Sequence, residues 1–147
     1  MAIGKRNQPP SFIWQGAEYP LVRPADYQAV FVRFQGPELV FAYSRWSLRL
    51  EFCLLSENVN VSAFINMGHD KGGPQTGGPR SNFFAVWSMA NGGMPRKGQK
   101  MTLETFSEPG LIYLVRVADA RIDGKNDPKP DALVYSRVTK VLGVNFK

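Results

Sequence analysis

Arg45-Trp46-Ser47-Leu48-Arg49-Leu50-Glu51-Phe52 is the stretch on which the fold turns. Trp46, Leu48, Leu50 and Phe52 fall on one side of an extended chain. Arg45, Ser47, Arg49 and Glu51 fall on the other. Successive side chains of a strand point to opposite faces, so a period of two means one buried face and one wet face. The element reads as the second strand of the chain, with a start as early as Leu39.

Similar signals flank it. Tyr27–Phe34 is β-branched and aromatic without Gly or Pro, and predicts a first strand. Gln35-Gly36-Pro37-Glu38 then reads as a turn. After Ser56-Glu57-Asn58, a third strand is predicted over Val59–Asn66. Val59, Val61, Ala63 and Ile65 take its inside, which turns Phe64 outward. Residues 68–80 hold five Gly and two Pro and predict a loop containing His69. Beyond Ser81, a residue suited to cap a helix, Phe83, Phe84, Val86, Trp87 and Ala90 recur at helical spacing until Asn91-Gly92-Gly93. This predicts a helix over 82–91, with a buried aromatic strand as the competing reading. Met94–Lys100 is a basic loop, and Thr102–Phe106 can form one helical turn. Fourth and fifth strands are predicted over Leu111–Ile122 and Leu133–Leu142, joined by the polar hairpin connection Asp123–Asp131.

Three strands, a helix and two strands make a mainly β domain. Closing the sheet on itself hides the apolar faces and removes unpaired edges. The expected fold is therefore a five-stranded Greek-key barrel with one helix between strands three and four. Residues 1–26 read as an N-terminal arm, with Pro9 and Pro10 in it and Phe12-Ile13-Trp14 apolar enough to dock. Residues 27–147 read as one domain. At 147 residues a single core suffices without metal or crosslink.

The chain carries 18 Lys and Arg against 12 Asp and Glu, a net charge of +6. The surplus concentrates late: residues 1–80 hold eight basic and six acidic side chains, residues 81–147 ten and six. Such a balance suits a polyanionic partner. One cysteine, Cys53, forbids an intrachain disulfide and suits a reducing, cytoplasmic setting. One histidine, His69, with that cysteine cannot build a structural zinc site. No apolar run approaches the roughly 18 residues that cross a bilayer, and Met1–Gln8 lacks the apolar segment of a secretory signal. No membrane partner is expected.

The order of elements, the long amphipathic second strand and the final pair LIYLVRVADARID…ALVYSRVTKVL resemble the oligonucleotide/oligosaccharide-binding (OB) fold single-stranded-DNA-binding proteins of phages and plasmids. The likeness spans Tyr27–Leu142 and rests on element order. It implies an OB-like barrel that binds single-stranded DNA, or RNA, in replication, recombination or repair. Bacterial members often end in an acidic tip; this chain ends Gly-Val-Asn-Phe-Lys.

Aromatic and basic residues interleave at two-residue spacing: Phe31-x-Arg33, Tyr43-x-Arg45 and Tyr135-x-Arg137. Each pair puts a ring and a guanidinium on one face, as stacking on a base beside its phosphate requires. The face of strands two and three then carries Arg45, Arg49 and Phe64, with Tyr43 at its edge, Arg33 on the adjoining strand, and Tyr135 and Arg137 extending it. Arg80 with Arg96, Lys97 and Lys100 is expected to form a phosphate-binding rim. The solvated-surface reading of these same residues predicts half-buried rings and arginines with no ligand.

Catalysis and cofactors are not expected. GHDKGGPQTGG lacks the G-x-x-x-x-G-K-[ST] order of a phosphate loop. Asp119 and Asp123 with Lys125 are the only local grouping for a metal-dependent nuclease, and a charge-alternating hairpin accounts for them. The expected partner is single-stranded nucleic acid, with the chain as a homodimer or higher oligomer. The alternative is a protein–protein or structural accessory module of a mobile element.

Overall fold

The computed structural model describes residues 21–41, 44–69, 71–120 and 135–146, with Phe146 described by its backbone only. Five strands close into a barrel: β1 (Ala25–Val40), β2 (Arg45–Leu54), β3 (Val59–His69), β4 (Leu111–Ala120) and β5 (Tyr135–Phe146). Round the barrel they run β1-β2-β3-β5-β4, and β4 pairs back onto β1. All neighbours are antiparallel except β3 and β5, which are parallel and meet at Ser62 and Arg137. Helix α1 (Asn82–Asn91) and a short 3-10 helix (Leu103–Ser107) lie between β3 and β4. This is the OB-like Greek-key barrel expected from the sequence.

The alternation in β2 holds as expected. Leu48, Leu50, Phe52 and Leu54 are fully buried, and Trp46 packs partly buried against them. Val61, Ala63, Ile65 and Met67 of β3 join this core, as do Tyr113, Val115 and Val117 of β4. An aromatic group fills one end: Phe31 meets Phe52 at 5.8 Å and Phe106 at 5.9 Å, while Phe52 meets Tyr113 at 5.1 Å. The Tyr113 hydroxyl donates to the Phe106 carbonyl at 2.7 Å, so its polar tip is satisfied inside. Burial holds its phenol well above the usual tyrosine range.

The helix matches its predicted bounds. Phe83, Val86, Trp87 and Ala90, three and four apart, all face the core. The Ser81 hydroxyl accepts from the Phe84 amide at 3.1 Å and donates to the Thr76 carbonyl at 2.7 Å. Gly92 ends the helix at φ 81°, its amide on the Met89 carbonyl, with the Gly93 amide on Ser88. Replacing Ser81 with alanine is expected to cost about 1 kcal/mol, read as a lowered urea midpoint at unchanged slope.

Three expectations need correction. Gln35–Glu38 is not a turn: β1 runs through it to Val40, with register breaks at Phe31/Arg33 and Gln35/Glu38. The Gly36–Pro37 peptide is cis and Gly36 has φ 93°. A Cβ on Gly36 would stand 2.7 Å from the Glu38 amide nitrogen, so only glycine fits this bulge. Leu39 and Val40 accordingly belong to β1, opposite Trp46 and Arg45, and β2 starts at Arg45. His69 is not in the loop but ends β3, opposite Arg45. Cys53 sits opposite Asn60. The eight residues from Arg45 to Cys53 span about 27 Å of strand, which rules out a Cys53–His69 nucleophile pair.

β1 starts two residues before Tyr27, and Val22 bonds Ser136 Oγ through both its amide (2.7 Å) and its carbonyl (3.1 Å). The apolar arm segment Phe12–Trp14 and the connection Asp123–Asp131 lie outside the described residues.

Candidate functional site

The strand registers place the outward side chains of β1, β2 and β3 in cross-strand rows. One row runs Arg33–Glu51–Ser62 and continues to Arg137 of β5. The next runs Gln35–Arg49–Phe64, then Glu38–Ser47–Asn66, and the last Val40–Arg45–His69. Side chains opposite one another in adjacent strands approach within about 5 Å at Cβ, so each row is a contact unit. The first bulge of β1 sets Arg33 and Gln35 opposite Glu51 and Arg49, and the second sets Glu38 opposite Ser47.

Phe64 faces outward as expected and is 39% exposed, a large aromatic on a wet sheet face. The Arg49 guanidinium carbon lies 6.0 Å from its ring centroid, at the outer reach of a cation–π contact. Arg49 is more tightly held than the alternation alone suggests. Its Nε donates to Ser62 Oγ at 2.8 Å, its Nη1 donates to Gln35 Oε1 at 3.3 Å, and its Nη2 stands 4.0 Å from Glu51 Oε1. With Nε and Nη1 engaged in hydrogen bonds, Arg49 offers a ligand its flat face and its outer N–H groups, suited to a stacked base or a phosphate.

Glu51 is the centre of the charged row. It is only 7% exposed although it faces outward, because Arg33 and Arg49 cover it. Arg33 Nε pairs with Glu51 Oε2 while the Arg33 side chain stays 59% exposed. Arg137, exposed, flanks Ser62 on the far side. Tyr135, half-buried, begins the same outward run of β5. Arg45 is exposed at the opposite end of the face, four residues and about 13 Å of strand from Arg49. Tyr43 lies outside the described residues.

The structure brings together Arg33, Arg49, Phe64 and Arg137, with Arg45 further along. The four residues of the expected basic rim flank α1 in the chain. Arg80 precedes α1, whereas Arg96, Lys97 and Lys100 follow it. Arg96 and Gln99 close a small turn, the Arg96 amide on Gln99 Oε1 at 2.9 Å and the Gln99 amide on the Arg96 carbonyl at 2.9 Å.

Phe41 was not anticipated. It follows β1 at the approach to β2 and is 84% exposed, the most exposed large apolar side chain among the described residues. In the sequence, LVFAY reads as a strand entering β2, which hides a turn. Correct placement of the Gly36–Pro37 bulge would have exposed it.

Among the described residues no group of three or more His, Cys, Asp or Glu could hold a metal ion, and no helix is long and apolar enough to cross a membrane. The chain matches no protein-family profile, and no curated protein matches it in sequence.

Proposed function

We propose that this chain is a non-catalytic, largely sequence-independent binder of single-stranded nucleic acid, DNA foremost. The observation that carries this reading is Phe64, exposed on the outer face of β3, set against Arg49 of β2, with Arg137 on adjoining β5 and Arg33 one strand beyond on β1. A ring on a wet face adds little to the core, whereas bases of every kind stack on such rings. Guanidiniums round it supply charge for phosphates and flat surfaces for further bases. Phe41, at the β1–β2 end of the same pair of strands, offers a second ring.

The test is a fluorescence titration with labelled poly-dT, duplex DNA and RNA at two salt concentrations. Poly-dT is expected to bind tightest and to weaken steeply with salt, through counterion release. Duplex should bind less well, because its bases are already stacked. A preference for duplex, or no binding at low salt, would sink the reading.

A second reading, a protein-interaction module, is favoured by one apolar end of the barrel. The Leu55 amide bonds the Gln28 carbonyl at 2.9 Å, and Gln28 pairs with Leu114. Leu55 is 48% and Leu114 37% exposed. Association through such a surface, self-association included, should change little with salt.

A further inference from the structure

We propose that Glu51 is a built-in counter-anion of the binding face, one that holds the arginines a backbone phosphate would take and so lowers both affinity and salt dependence. The inference rests on the nucleic-acid reading above. Glu51 stands on the outward side of β2, where a carboxylate could extend into water. Instead it is 7% exposed, with Arg33 Nε on one oxygen and Arg49 Nη2 at 4.0 Å from the other. Burial of a carboxylate is costly unless cations and hydrogen bonds compensate it, so Glu51 draws both guanidiniums down to the sheet. Phosphate and carboxylate oxygens are alternative acceptors for the same N–H groups. An arginine held by a fixed carboxylate neutralises no phosphate, so no condensed cation leaves the nucleic acid on its account. Of the four arginines on this face, Arg33 and Arg49 are therefore discounted by Glu51.

The competing role for Glu51 is purely positional: it could hold Arg33 and Arg49 in the orientation that binding needs. The two roles give opposite signs. Glu51→Gln keeps size and an acceptor oxygen but removes the charge. With Glu51 as counter-anion, this variant binds poly-dT about three- to tenfold tighter at moderate salt. Its log–log salt dependence steepens by about 0.7 for each arginine released. In the parent, Arg33→Gln barely changes that slope; in the Glu51→Gln background it reduces the slope by about 0.7. Equal or weaker binding by Glu51→Gln, with the slope unchanged, overturns the inference while the parent's own binding preserves the functional reading. A parent that fails to bind while Glu51→Gln binds removes the functional reading as stated and keeps Glu51 as the masking group. Failure of both to bind, with both folded by circular dichroism, removes the two together.

Discussion

Replacement of Trp87 with alanine is expected to lower the stability of the domain by about 3–5 kcal/mol, the largest single effect on folding among the variants considered. Trp87 is fully buried in α1 at the position where the helix meets the barrel. Its indole Nε1 donates to the Thr102 carbonyl at 2.9 Å, tying α1 to the start of the 3-10 helix. Phe83, one turn earlier, meets Phe106 of that 3-10 helix edge to face at 5.9 Å. Loss of the indole thus opens a cavity in the core and removes the hydrogen bond that ties α1 to Thr102. Domains of this size are stable by about 5–15 kcal/mol, so the variant should be largely unfolded at modest urea. Trp87→Phe separates the terms: it keeps most of the ring, loses the hydrogen bond, and should cost far less. Urea unfolding followed by circular dichroism measures both. A midpoint for Trp87→Ala close to the parent's would mean that α1 contributes little to the core.

The parts of the fold legible in the sequence were those governed by local chemistry. The alternation of Arg45–Phe52 reports which side of β2 is wet, and it needs no knowledge of neighbouring strands. Ser81 and Gly92 mark the ends of α1 because a free amide needs an acceptor and a left-handed residue favours glycine. Gly36-Pro37 misleads for an equally physical reason. Both residues are punctuation, and the same pair that begins a turn also breaks a strand's register without ending it. That one ambiguity displaced the start of β2 and concealed the exposure of Phe41.

The site divides in the same way. Phe64 was legible as an outward ring because β3 alternates. The partners of Arg49 were not, since Gln35 and Ser62 belong to other strands and only the register puts them beside it. The sequence shows Arg49 and Glu51 two apart on one face; it does not show Arg33 opposite Glu51, because the bulge near Val32 sets that pairing.

Phe64→Ala is expected to weaken poly-dT binding by about 1–3 kcal/mol, roughly five- to 150-fold in affinity, while the protein remains folded. Phe64 is 39% exposed, and its ladder partner Arg49 keeps hydrogen bonds to Ser62 and Gln35 without the ring. Loss of a half-exposed ring from a strand should cost at most about 1 kcal/mol of stability. Two further variants fix the cause. Phe64→Leu keeps apolar bulk without a π-face and should bind nearly as weakly as alanine; Phe64→Trp should restore or exceed the parent. The salt slope should be unchanged across all three, because a ring releases no counterion. Leucine as good as phenylalanine would replace stacking by simple apolar contact. A reduced slope would mean that the ring acts by holding Arg49, whose guanidinium lies 6.0 Å from its centroid, in place. Parent-like binding by Phe64→Ala at both salts would move the interface off this face altogether and leave the apolar end at Leu55 and Leu114 as the surface to examine.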